Sequence, residues 1–373
     1  MAKVRKIGDR WVADFRDASG KRHREYRKTK KAAEDLLAQR QVSVQKGTYS
    51  AEGRTARFEA LARDWLRVMG PEWRPTTATQ SAYIVESHLL NPGYGLGARR
   101  VATIGLQTCE DFKLAMMAAN PNLSPRTVNL ALQKLGTILR YGQARGLLYV
   151  DPTQHVRRIK GAPRIVKPLT ADERGKLLAA ATAEGPAAHL IVNLGLRAAL
   201  RLGETLALTW GAFDPEARTL TIRGTNSCKA YREAFAAQGA WPSTKTEESA
   251  RRVPLSPELV AELQRFRLIE GRPPAGALLF SKDGIPLDPS SFRARPWRRL
   301  LAAAGLPAGT HYHDLRHTCL SELIAAGISP EWVRLLAGHR SLNVTLTVYR
   351  HFLPRDVDTA EAIDRALAAG SGQ

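Results

Sequence analysis

Two hydrophobic periods alternate along the chain, and the places where one yields to the other mark its candidate domains. Residues 10–16 alternate, with Trp11, Ala13 and Phe15 on one face, and a Gly8-Asp9 turn separates them from the short run 4–7. A pleated strand turns successive side chains to opposite faces, so this pattern predicts two short strands. Asp17-Ala18-Ser19-Gly20 supplies the next turn, and residues 21–26 return as a third strand. From about Lys30 the period lengthens, and Ala33, Leu36 and Leu37 share one face of a helix.

Residues 55–155 are helical throughout. Phe58, Leu61, Ala62, Trp65, Leu66 and Met69 form an apolar stripe, with Thr55 as the expected cap. A second helix is expected over about 76–90, stopping at Asn91-Pro92-Gly93, and a third begins near Cys109. A fourth starts at Ser124-Pro125, carries Val128, Ala131, Leu132, Leu135, Ile138 and Leu139, and ends at Gly146. Residues 157–167 are basic, lie between Pro152 and Pro168, and read as a linker.

Beyond 165 the pattern is mixed. Thr170-Ala171-Asp172-Glu173 resembles a capping box. Apolar helical segments follow to about 208, then residues 219–223 alternate as a strand whose partner is 251–255. Residues 224–243 are too long for a tight hairpin. Helices are expected after Pro254, with a turn at residues 281–284 and a short amphipathic tail helix over 358–369. The predicted class is therefore multidomain and mainly α with small β-sheets. It comprises a three-stranded β plus helix module (1–52), a helical domain (55–155), a mixed α+β domain (165–355) and a tail (356–373).

Charge adds a partner to this picture. The chain has 56 Lys and Arg against 35 Asp and Glu, a formal net charge of +21, and its natural partner is a polyanion. The first 50 residues alone hold 14 Lys/Arg and 6 Asp/Glu, a net +8. A β-ribbon this basic fits a DNA major groove. Arg10, Arg22, Arg24 and Lys28 are its candidate contacts, and Arg126, Lys134 and Arg140 are candidates on the outer face of the helical domain. No basic amphipathic helix, lipidation motif, secretory leader or run of about 18 apolar residues points to a membrane. Cys109, Cys228 and Cys319 are far apart, which suggests a reducing compartment, and the expected location is cytoplasmic and DNA-associated.

The candidate chemistry lies in residues 311–351, which carry His313, Arg316, His339 and Tyr349. His311, His313, His317 and His339 lack a Cys or carboxylate to complete a metal set, so no metal and no cofactor is expected. Residues 199–208 (ALRLGETLAL) resemble the first arginine box of tyrosine recombinases, the phage-integrase family. His313-Asp314-Leu315-Arg316 is similar to that family's HxxR box. Gly338-His339 and Tyr349, ten residues apart, are similar to its third box and nucleophile. Thr244-Lys245-Thr246 resembles the hairpin with the family's catalytic lysine, and Lys229 is the rival for that role.

The resemblance implies an arm-type DNA-binding domain, a core-binding domain and a catalytic domain. It further implies DNA cleavage through a 3′-phosphotyrosyl intermediate, with Arg201, Lys245, His313, Arg316, His339 and Tyr349 catalytic and Glu204 a brace behind Arg201. The chemistry calls for such residues. Two guanidiniums can fork onto the non-bridging oxygens of a phosphorane. Histidines add donors, and His313 can accept the tyrosine proton. A phenol of pKa about 10 needs help to attack at pH 7. A 5′-hydroxyl leaves only with a proton, for which Lys245 is the expected acid. The implied assembly is a homotetramer on double-stranded DNA at two attachment sites, with an excision factor and a host DNA-bending protein as accessories. Its task would be to integrate or excise a phage, prophage or integrative element. A chromosome-dimer resolvase, a type IB topoisomerase and a catalytically silent DNA-binding regulator are the alternatives. Ala337 replaces a usual leucine, Gly211-Ala212 a usual polar-acidic pair, and 224–243 is an insertion.

Overall fold

The computed structural model describes residues 2–17, 20–45, 55–148, 150–161, 167–239, 241, 250–349 and 352. The chain divides into two compact units, 1–163 and 164–373.

The first unit opens with an antiparallel sheet of β1 (Lys3–Ile7), β2 (Arg10–Arg16) and β3 (Arg22–Arg27), followed by α1 (Lys30–Gln45). The helix covers the face bearing Ala13 and Phe15. Ala33 and Leu36 are the helix's own buried side chains, Lys30 sits over the Trp11 ring, and Arg40 pairs with Glu25 at 2.9 Å. The pairing register places Lys3, Arg5, Arg10, Arg16, Arg22 and Arg24 on the opposite face. Asp14 is buried on that face, and Arg22 reaches its carboxylate through two hydrogen bonds of 2.7 and 2.5 Å. Hydrogen bonding from Arg22 holds the Asp14 carboxyl below the usual carboxylate range.

The same unit contains α2 (Phe58–Met69), α3 (Pro75–Ile84), α4 (Leu106–Ala119) and α5 (Pro125–Ala144), which bury the predicted stripes together. Thr55 does not cap α2. The N-cap is Arg57, and the first amides of α2 donate to the carbonyls of Arg99 and Gly97 at 2.9 and 3.0 Å, so no side-chain cap is required. The second helix runs on from α3 through a π turn, Val85–Leu89. Ser124 does cap α5, accepting from the Thr127 amide at 3.2 Å. Part of the expected linker is docked: the Asn129 amide binds both backbone groups of Ile159 at 2.9 Å.

The second unit begins at the predicted capping box of α6 (Ala171–Glu184), followed by α7 (Pro186–Arg197) and the one-turn α8 (Leu202–Thr205). Its sheet has three strands, ordered β4 (Phe213–Asp214), β5 (Thr219–Ile222) and β6 (Arg251–Pro254). The two-residue β4 is too short to carry a period and was not expected. Residues 224–243 contain a further helix, α9 (Lys229–Gln238), which buries Tyr231 and Phe235. Then come α10 (Pro257–Ile269), a hairpin of β7 (Ser281–Lys282) and β8 (Ile285–Pro286), α11 (Pro289–Ala294) and α12 (Pro296–Ala303). Last are α13 (Tyr312–Ala325), α14 (Pro330–Ala337) and α15 (Leu342–Tyr349). The main core joins α6, α7, α10, α12 and the sheet. A separate small cluster of Ala199, Cys319, Leu320, Ile324, Val333, Ala337 and Tyr349 packs beside it. The expected tail helix at 358–369 and the hairpin around Lys245 lie outside the described residues.

Candidate active site

Helix α13 is the platform. Its first turn is closed by the His311 amide, which donates to Asp314 Oδ2 at 2.7 Å. Tyr312 anchors it to the core, donating to the Ile191 carbonyl at 2.8 Å. Spacings of three and four residues then set His313, Arg316 and His317 on one face. The His313 and His317 rings meet edge-on at 4.5 Å.

Arg316 is fully buried. Its guanidinium donates to the Ala199 carbonyl at 2.6 Å and to the Ala337 carbonyl, while Nε has no partner among the described residues. Burial, then the neighbouring Arg201, lowers its pKa to about 9, so it stays charged at neutral pH. Ala199 reaches it with φ of 52°, a left-handed backbone costing about 1–3 kcal/mol that the surrounding core must maintain.

Arg201 stands at the N-cap of α8, and its side chain is 40% exposed. Glu204 lies beneath it, accepting from the Arg201 backbone amide at 3.0 Å and from its guanidinium at 2.7 Å. Arg251, on β6, grips the same carboxylate at 3.2 and 2.8 Å and donates from Nε to the Leu336 carbonyl at 2.8 Å. Burial alone would raise the Glu204 pKa. Arg251 first, then Arg201 and Arg316, pull it down to about 2.

Helix α14 ends at Gly338, with φ of 60°. The left-handed turn calls for glycine, and a Cβ there would stand 3.0 Å from the Arg251 guanidinium, which would have to give way. The turn presents His339, whose Nδ1 lies 2.9 Å from Thr345 Oγ1. Burial, then Arg316 and Arg201, lowers its pKa to about 3. Burial, then His317, Arg316 and Arg201, brings His313 to about 4.

Tyr349, at the end of α15, is 1% exposed. Its hydroxyl lies 2.6 Å from His317 Nδ1, and its ring stacks parallel to that of His339, with centroids 6.5 Å apart. Burial raises its pKa above the ordinary phenol value. The fold therefore brings together a phenol, three imidazoles and two guanidiniums, one exposed and one buried. Such a set can activate a hydroxyl and stabilise an oxyanion on phosphorus.

Sequence reasoning named Arg201, Glu204, His313, Arg316, His339 and Tyr349, and the structure gathers all six. It named His317 within an incomplete metal set, yet this ring touches the tyrosine hydroxyl. The i, i+4 spacing from His313 was the available signal. Arg251 was read only as a strand residue, and no local pattern distinguishes it. Lys245 lies outside the described residues. Lys229 begins α9, exposed, with Glu233 at 3.3 Å. Among the described residues no group of His, Cys, Asp or Glu could hold a metal ion, and no helix is long and apolar enough to cross a membrane.

The candidate DNA contacts divide. Arg10, Lys28 and Arg126 are exposed. Arg22 and Arg24 flank Asp14, at 2.5 and 3.6 Å, with 44% of each side chain exposed. Arg140 pairs with Asp151 at 2.9 Å. Lys134 is not on an outer charged face. It is half-buried, 5.6 Å from the centroids of both Trp65 and Trp73, and donates to Ser81 Oγ at 2.8 Å. Its apolar stem completes the helical core, and desolvation lowers its pKa.

A family model described as the phage integrase family matches residues 167–355. The chain is 30% identical over 235 residues to tyrosine recombinase XerC of Brucella melitensis biotype 1, covering 61% of this chain and 68% of that protein. It is 25% identical over 378 residues to a XerC-like tyrosine recombinase of Caldanaerobacter subterraneus subsp. tengcongensis, covering 92% of each. In fold it is similar to the Tn1549 transposon integrase in complex with transposon right end DNA, with a TM-score of 0.67 and 20% identity. That match spans 84% of this chain and all of the other. A lambda integrase tetramer bound to a Holliday junction matches with a TM-score of 0.60 and 16% identity, over 91% of this chain and 95% of that one.

Proposed function

Because the chain belongs to the phage integrase family of tyrosine recombinases, enzymes that break and rejoin DNA strands, we propose that it is an integrase. In this reading it inserts or excises a mobile element through a 3′-phosphotyrosyl intermediate. The observation that carries the reading is the Tyr349 hydroxyl held among His313, His317, His339, Arg201 and Arg316. Tyr349 is the nucleophile. Arg201 and Arg316 neutralise the non-bridging oxygens, with Glu204 orienting Arg201, and His313 and His339 donate to the same oxygens. A lysine ammonium protonates the leaving 5′-oxygen, and Lys245 is assigned that part. The covalent phosphotyrosine conserves the bond energy, so strand exchange within a tetramer on two duplexes requires no ATP and no metal.

The basic sheet face favours an integrase over the chromosome-dimer resolvase suggested by the XerC relatives. Six Lys and Arg side chains share that face with one buried Asp. A surface of this kind would follow a second, arm-type DNA site. To test the reading, the protein is incubated in EDTA with fragmented DNA from its own source and denatured, and the protein-linked ends are sequenced. Wild type should carry DNA through a 3′ end and Tyr349→Phe should carry none. A chromosomal dimer-resolution site among the linked ends would favour the resolvase. Binding without any adduct would favour a silent regulator.

A further inference from the structure

We propose that His317, rather than His313, is the base that takes the proton of the Tyr349 hydroxyl as it attacks phosphorus. The inference rests on the reading of Tyr349 as nucleophile and adds a catalytic residue to it.

The geometry points to His317 alone. Its Nδ1 lies 2.6 Å from the phenol oxygen, and among the described residues that hydroxyl has no other hydrogen-bond partner. His339 has committed Nδ1 to Thr345. His313 lies one helical turn away and meets the edge of the His317 ring, without a hydrogen bond to Tyr349. Arg201 and Arg316 cannot accept a proton. Among the described residues, the titratable groups gathered around this pair include His313, Asp314 and Cys319 on the same helix, His339 from the turn after α14 and Tyr349 from α15, with the two guanidiniums beside them.

A phenol whose ring is buried in an apolar cluster holds its proton more tightly than in water, the two guanidiniums offsetting this only in part, so attack near neutral pH requires an acceptor already in contact. With its own proton on Nε2, His317 offers the Nδ1 lone pair to the phenol. In the forward step the Tyr349 O–H bond breaks and an Nδ1–H bond forms. The phenol oxygen then bonds to phosphorus, the bond from phosphorus to the 5′-oxygen breaks, and the lysine ammonium gives that oxygen its proton. On rejoining, the 5′-hydroxyl attacks phosphorus, loses its proton to the lysine, and His317 returns its own proton to the departing phenol. His313 and His339 remain neutral donors to the phosphate.

The test uses the full chain and a nicked duplex bearing an end captured in the experiment above. Single-turnover adduct formation is followed from pH 5.5 to 9 for wild type, His317→Ala, His317→Asn and His313→Ala. Asparagine can still accept the phenol's hydrogen bond but cannot take its proton, so it separates proton transfer from positioning. Both His317 variants should lose roughly 10²–10⁴-fold at pH 7, the range for a general base. Their rates should rise about tenfold per pH unit, while wild type and His313→Ala level off. An Asn variant within tenfold of wild type, with the same profile, would reduce His317 to a positioning residue. An Ala variant faster than wild type would make His317 a latch that restrains the nucleophile. Loss of the plateau in His313→Ala would return the role to His313. A second readout needs no DNA: 3-fluorotyrosine placed at 349 should give a fluorine resonance that steps as His317 titrates, and the step should vanish in His317→Asn. A coupled resonance with no wild-type adduct sinks the nucleophile assignment and the base with it. An uncoupled resonance with a normal adduct sinks the base alone.

Discussion

Replacing Glu204 with glutamine should destabilise the second unit by about 3 kcal/mol at pH 7, and the loss should shrink on acidification. The carboxylate is 8% exposed and holds Arg251, itself 9% exposed, through two hydrogen bonds. Its pKa falls from 4.5 to about 2, and at 1.36 kcal/mol per unit that depression is worth about 3 kcal/mol. Loss of one partner from a buried ion pair typically costs about 3–5 kcal/mol, which agrees. The sign follows from the depressed folded-state value. The stabilisation is complete above pH 4.5 and is lost as pH falls toward 2, so the difference between wild type and Glu204→Gln should narrow by about 2 kcal/mol between pH 7 and pH 3. Scanning calorimetry of the full chain suits the measurement, because two units need not melt together. For a unit of about 200 residues each kcal/mol moves Tm by about 2–4 °C, so one transition should fall by roughly 6–12 °C while the other stays. A shift under 2 °C at pH 7, or a gap that does not change with pH, would refute the claim that Glu204 is held as a buried carboxylate by Arg251 and Arg201.

Three further outcomes follow from the same geometry. Gly338→Ala should cost about 1–2 kcal/mol through its left-handed backbone alone, more if Arg251 cannot yield, and calorimetry should show it in the same transition as Glu204→Gln. The pKa values of His313 and His339, about 4 and 3, lie below the ordinary imidazole value, so the unfolded chain binds more protons from pH 6.5 downward. Stability should therefore fall between pH 6.5 and pH 4, and a urea titration of His313→Gln against pH should show a shallower fall. Arg10→Ala should weaken binding to duplex DNA and flatten the slope of log K against log salt by about 0.9, the value of one phosphate contact.

The periodic elements needed only the sequence. β2 and the stripes of α2 and α5 run where the spacing of Trp11, Phe58 and Val128 places them, because each element must turn its apolar face to a core and that period is local. The site was legible for a related reason. The HxxR spacing sets His313 and Arg316 on one helix face before any tertiary contact forms, and the resemblance to the phage-integrase boxes added Arg201, His339 and Tyr349. What the chain could not disclose depended on distant residues meeting. Arg251 lies 47 positions from Glu204 and 85 from Leu336, yet it joins both. Lys134 sits on a face that reads as solvated, and only the convergence of Trp65 and Trp73 draws its stem inward. His317 resembles any helical histidine until α15 folds back 32 residues later and lays the Tyr349 hydroxyl on its Nδ1. A side chain's period is set by its neighbours in sequence, whereas its partner, burial and charge state are set by whichever surfaces the packed core brings against it.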